Sequence, residues 1–188
     1  MPPKYFMMTA PVEPDETLAD FFLDDRFDES WFAVMPFEEP PPVPLVLTWD
    51  PDNEAGRRMS HYSGGIVLMS RELFAALVEF GVDNVQPHPV VIRSSTGKPD
   101  CHDYLGVNVI GLVKAVDRTK SVVLDEGDGI IDMFFESVEI DLAAARDLLL
   151  FRLAESVGAL LVHERVVEHL RVRSGFGLTF VNPADFVG

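Results

Sequence analysis

The side chains best suited to chemistry in this 188-residue chain are Cys101-His102-Asp103, because a thiolate nucleophile needs a base and an orienting acid within reach. Neighbours on an extended chain point to opposite faces, which keeps Cys101 and His102 apart, so a polar turn beside a strand is expected instead. The five histidines, His61, His88, His102, His163 and His169, contain no i, i+4 pair. Six positions separate His163 from His169, which would set the rings on opposite sides of a helix, and no metal site is expected. Asp125, Asp128 and Asp132 hint at calcium, but their loop lacks the EF-type carboxylates at positions 1, 3 and 5 and the glutamate at 12. A solvated turn is the expectation there. Gly127-Asp128-Gly129 does not extend to GxGxxG and no GxxxxGK[ST] occurs, so phosphates have no evident cradle. Pro99-Asp100 followed by Asp117-Arg118-Thr119-Lys120 faintly suggests a nuclease carboxylate-lysine set; its spacing is off by one residue, and so acidic a chain would repel DNA. No catalytic residue, metal ligand or cofactor is therefore expected.

Charge is more telling than any such constellation. The formal net charge is −16, which disfavours nucleic acid and anionic membranes and favours a basic partner. Residues 1–55 hold 13 acids against Lys4 and Arg26, a net of −11. Within that third, Trp31, Phe32, Trp49 and Tyr62 stand among polar residues, as anchors of a protein-binding surface do, with the alternative that they cover the core. The single Cys101 rules out an internal disulfide and fits a reducing compartment. The chain shows no secretion-signal pattern and no apolar run near the roughly 20 residues of a membrane span, so a soluble, cytoplasmic protein is expected.

The elements that must position these residues centre on Ile66–Ser121. The short apolar run Ile66–Met69 reads as a strand, Ser70 as a helix N-cap, Glu72 as a first-turn acid and Gly81 as a left-handed stop. Leu73, Phe74, Leu77, Val78 and Phe80 fall on one face of the intervening helix. Val85–Ile92 and Tyr104–Val116 read as two strands about a polar 94–100 turn. Upstream, residues 5–8 and 45–49 read as strands, 17–27 as a short helix, and 55–65 as loop. The prolines at 36, 40, 41, 42 and 44 make 35–43 an extended seam between an N-terminal arm and the main body. Downstream, 130–140 reads as strand, Asp141 caps a brief helix over 142–147, and 148–153 and 159–162 read as strands joined at 155–158.

The end of the chain repeats its organising stretch. Leu68 and Leu161, Ser70 and His163, Leu77 and Leu170, and Val85 and Leu178 are each 93 positions apart. Two strand-helix-strand units that frame the domain are one reading of this spacing; two ordinary amphipathic helices are the other.

These features carry a resemblance. The Lys4-Tyr5-Phe6 opening, the run Ile66–Val91, the ribbon Tyr104–Ile110 leading to Ala115–Ser121, and Leu161–Leu170 leading to Gly177–Phe180 resemble family eleven of the immunity proteins of bacterial polymorphic toxin systems, a myxobacterial-type domain. The resemblance spans roughly residues 60–183 and consists of core and turn positions. It implies a single α+β domain over 1–188, with a mixed, mainly antiparallel sheet and two or three helices. It further implies a cytoplasmic, non-catalytic antitoxin for a toxin delivered between neighbouring cells, as by type VI secretion. Combined with the charge, the expected partner is a basic cognate toxin, for which a nuclease is the fitting activity. Asp24, Asp25, Asp28, Glu29, Glu38 and Glu39 are the expected steering carboxylates, with Trp31 and Phe32 as anchors. An effector chaperone or adaptor is the alternative, followed by a small hydrolytic enzyme.

Overall fold

A computed structural model describes residues 4–10, 17–23, 35–37, 41, 43–63, 66–125, 133–173 and 175–185. In chain order the strands are β1 (Tyr5–Thr9), β2 (Phe21–Leu23), β3 (Leu45–Trp49), β4 (His61–Tyr62) and β5 (Leu68–Ser70). Helix α1 (Arg71–Phe80) precedes β6 (Val85–Arg93), β7 (Tyr104–Val109), β8 (Leu112–Val113), β9 (Val122–Asp125) and β10 (Phe134–Ser137). Then come α2 (Leu142–Ala145), β11 (Leu150–Leu153), β12 (Ser156–His163), α3 (Glu164–Val172) and β13 (Thr179–Val181). The result is an α+β fold of mainly antiparallel strands.

Local chemistry sets the two long helices. The Ser70 hydroxyl accepts from Leu73 N at 3.2 Å, and Gly81, at φ 108°, receives the chain where a side chain would be strained. At α3 the His163 ring takes over the capping role, with Nδ1 accepting from Arg165 N at 3.2 Å. Leu73, Ala76 and Leu77 on α1 and Val166, Val167 and Leu170 on α3 are buried, in one shared core. Full burial of a leucine stabilises by roughly 2 kcal/mol, so Leu77 and Leu170, both 0 % exposed, are among the main contributors to this core. Arg173 pairs with Glu79 across the two helices, and Phe80 meets the His169 ring at 4.9 Å.

Two sheets turn their inner faces to this core. One has the order β13-β1-β12-β11-β8 and the other β2-β3-β6-β7-β5-β4; β9 and β10 form a separate ribbon. Alternation along the strands buries both faces of each sheet. On β12, Leu160 and Val162 join the central core while Ala159 and Leu161 join an outer one; on β5, Met69 points inward and Leu68 outward. The outer core of the five-stranded sheet is closed by Met133, Phe135 and Val138 at the ribbon and by Ala145 of α2. That of the six-stranded sheet is closed by Ala19, Phe21, Phe37 and Met59.

The 93-residue spacing is an internal repeat. β5 and β6 both run antiparallel to β7, which lies between them, and β12 and β13 both run antiparallel to β1 between them. Each unit is thus a strand-helix-strand crossover split by one inserted strand. Ser70 opposes Tyr104 where His163 opposes Tyr5, and Gln86 opposes Asn108 where Thr179 opposes Thr9. The flanking hydrogen bonds match as well: Arg71 N donates to Asp103 O as Glu164 N does to Lys4 O, both at 2.9 Å. Beside the crossovers, His61 opposes Met69 as Leu150 opposes Val162, and Tyr62 meets Tyr104 edge-on at 5.8 Å as Phe151 meets Tyr5 at 5.2 Å. The inserted strand comes from downstream in the first unit and from the N-terminus in the second.

Several expectations are corrected. β1 is interior to one sheet and β3 to the other, so the described parts of 1–55 are woven into the fold and do not form a separate arm. Of the expected helix at 17–27, Phe21–Leu23 is instead the strand β2, where Phe21 packs edge-on against Trp49 and Tyr62, and 24–27 lie outside the described residues. The expected 55–65 loop contains β4. Tyr104–Val116 is broken at Gly111, whose φ of 95° ends the ribbon and lets β8 cross to the other sheet, parallel to β11. Val78 is 45 % exposed, and Ala76 takes its place on the inward face.

Candidate functional site

All eight residues expected to bind the partner, Asp24, Asp25, Asp28, Glu29, Trp31, Phe32, Glu38 and Glu39, lie outside the described residues. Their described neighbours divide into two kinds. Asp20 and Asp52 are exposed, and Asp50 is half-buried and accepts from Asp52 N at 3.0 Å and Asn53 Nδ2 at 2.9 Å. Glu54 is buried and structural. Its Oε1 accepts from Ser94 Oγ at 2.7 Å, and its Oε2 from Ser95 N at 3.0 Å, Ser95 Oγ at 2.6 Å and Thr96 N at 3.0 Å. These donors, the Ser95 hydroxyl foremost, hold its carboxyl down at about 2. Glu54 therefore leaves the set of 13 acids available for steering.

Trp49 and Tyr62 are core residues, 1 % and 6 % exposed. Arg58 stacks over the Trp49 ring at 5.1 Å, and the Tyr62 hydroxyl accepts from Met59 N at 3.0 Å. Of the four aromatics singled out in the acidic third, these two are unavailable as anchors.

The Cys101-His102-Asp103 triplet behaves as a turn. Cys101 is buried, bridged to Ile92 through both backbone groups, with its Sγ 3.7 Å from Asp103 Oδ2, and His102 is exposed. Burial pushes the thiol up, the reverse of the activation that a nucleophilic cysteine requires. The histidines are scattered: His61 on β4, His88 on β6, His102 in the turn, His163 capping α3 and His169 within it. Among the described residues no group of three His, Cys, Asp or Glu side chains is placed to hold a metal ion. Asp117 accepts from Thr119 and from Lys120 Nζ at 2.6 Å, so its carboxylate is occupied within the 117–120 turn.

A cavity of about 650 Å³ opens where Thr9, Asp20, Asn53, His61, Tyr62 and Ser63 meet. The His61 ring there is 2 % exposed, its Nε2 has no partner, and burial together with the nearby Arg152 guanidinium lowers its pKa to about 4. Such a ring is neutral at pH 7 and a poor general base, whose pKa should lie near the working pH.

Sequence reasoning missed a second acidic block. Residues 117–141 carry eight acids against Arg118 and Lys120, a net of −6, while all residues outside 1–55 and 117–141 carry ten acids against eleven bases. In the described parts of the blocks, Asp20 and Asp50 flank the ends of β2 and β3, joined by Asp50 N donating to Asp20 O at 2.8 Å, while the β9–β10 ribbon packs on the outer core of the five-stranded sheet. The signal was available in the sequence as a local charge count, hidden because the remainder of the chain was averaged as a whole. On the ribbon, Val123 and Phe135 face the core, so Val122, Leu124, Phe134 and Glu136 face outward.

No helix among the described residues is long and apolar enough to cross a membrane. No protein-family model matches the chain, and no curated protein sequence matches it.

Proposed function

We propose that this chain is an immunity protein that neutralises a basic toxin by binding it, using carboxylates in place of the phosphates that a nuclease would engage. The observation that carries this reading is the segregation of charge. Residues 1–55 and 117–141 hold net charges of −11 and −6, whereas the rest of the chain, with ten acids and eleven bases, is nearly neutral. A general need for solubility would spread charge along the chain; concentrating it in two stretches builds a local field that speeds encounter with a positive partner. The resemblance of residues 60–183 to immunity family eleven supports the same reading. Asp24, Asp25, Asp28, Glu29, Glu38 and Glu39 supply the steering field, and Trp31 and Phe32 the apolar anchors.

Co-expression with the polypeptide encoded by the neighbouring reading frame tests this. Growth arrest by that polypeptide, relieved when this chain is present, is the expected result. Binding without relief would favour an effector adaptor, and neither binding nor relief would overturn the proposal.

A further inference from the structure

We infer that the outward face of the β9–β10 ribbon is a second docking surface, for a positively charged protein that inserts apolar side chains between acidic ones. The inference rests on the binding-protein reading above and adds to it a surface that the N-terminal acids do not include. Val122, Leu124 and Phe134 are 46 %, 61 % and 54 % exposed, while their strand neighbours Val123 and Phe135 pack inward. Scattered exposed apolar residues need no explanation, but three on a single short two-stranded ribbon concentrate apolar surface in the way that marks an interaction site. The ribbon does not need them for its own packing, since Val123 and Phe135 already secure its inner face to the five-stranded sheet.

Charge identifies the occupant. Glu136 is exposed on β10, Asp125 directly opposes Phe134, and Glu139 is exposed just beyond β10. Of the two bases in 117–141, Lys120 is offset by its 2.6 Å pair with Asp117, and Arg118, which donates to the Met133 sulfur at 3.3 Å, keeps its positive charge. Three carboxylates against one guanidinium leave the field at the ribbon negative. A second copy of this chain, equally acidic, would be repelled from it, whereas a basic protein with apolar side chains among its lysines and arginines would find both terms favourable.

The test compares the full wild-type chain with a V122S/L124S/F134S variant and a V172S control, Val172 being 88 % exposed on α3 and far from the ribbon in sequence. The probe is the purified polypeptide encoded by the neighbouring reading frame, with binding measured by calorimetry. All four side chains are exposed, Val122 least at 46 %, so both variants should stay close to the wild-type unfolding midpoint. The expected result is a dissociation constant at least about tenfold higher for the triple variant and unchanged for the control. Equal affinity of wild type and triple variant would overturn the ribbon surface while leaving the immunity reading intact. No binding by the wild type would overturn both. Dimerisation of the wild type that the triple variant abolishes would also overturn the inference, by assigning the patch to a second copy.

Discussion

Replacing His61 by leucine should stabilise the protein and flatten its response to acid. His61 sits on the inner face of its sheet, opposite Met69, at the place that Leu150 occupies opposite Val162 in the second unit. The repeat therefore places a leucine at the equivalent position of the second unit. The ring is 2 % exposed, its Nε2 lacks a partner, and desolvation, with the Arg152 charge adding to it, brings its pKa from 6.5 to about 4. Because the folded value lies below the unfolded one, the unfolded chain binds the extra proton between about pH 6.5 and 4. The stability associated with the neutral ring is complete above that window, falls as the pH drops through it, and levels off below pH 4. A shift of this size corresponds to roughly 3 kcal/mol lost between pH 7 and pH 4. His61→Leu removes that loss and also removes the unpaired ring nitrogen, a gain of about 1 kcal/mol at pH 7. Urea unfolding of both proteins from pH 7 to pH 4 measures it. Every other titrating group, including His88 and His163 with their lowered pKa values, is common to the two, so the difference curve isolates His61. A difference that stays constant across this range would refute the reasoning.

Other perturbations follow from the same geometry. Ser70→Ala should cost about 1 kcal/mol in chemical denaturation by uncapping α1, with Ser70→Asp recovering most of it. At Gly106 an added Cβ would stand 3.0 Å from the Ile66 and Leu45 methyl groups, so Gly106→Ala should overpack the outer core by about 1–3 kcal/mol, read as a lowered unfolding midpoint. Glu54→Gln should loosen the 94–96 loop and speed amide hydrogen exchange at Ser95 and Thr96. In the wild type the same acceleration should appear only as the pH falls toward about 2, where the carboxylate finally protonates.

Much of the fold was legible because local signals agreed with the tertiary outcome. Ser70, Gly81 and the apolar stripe between them predict α1, and the spacing of Ser70 to His163 and of Leu77 to Leu170 offers the repeat as one of two readings, which the strand registers then decide. The failures lie where tertiary contacts outweigh local preference. Residues 21–23 form a strand because Phe21 finds Trp49 and Tyr62, partners that only the folded sheet provides. β4 is two residues long and exists by pairing with β5, which no periodicity could reveal. The inserted strand of the second unit arrives from the opposite end of the chain, beyond the reach of any local pattern. For the site, the sequence located the larger acidic block but treated Glu54 as surface charge, because a buried carboxylate satisfied by a serine-rich loop looks the same in one dimension as a solvated one.

If clustered carboxylates draw in a basic protein partner, the association rate carries their signature. Stopped-flow mixing with the polypeptide encoded by the neighbouring reading frame, from low to high salt, would compare the wild type with a variant carrying Asn or Gln at positions 24, 25, 28, 29, 38 and 39. The wild-type rate should fall steeply with salt, and the variant should associate at least about tenfold more slowly at low salt with a much flatter dependence. Matching rates and matching salt dependence for the two proteins would remove the carboxylates from the encounter.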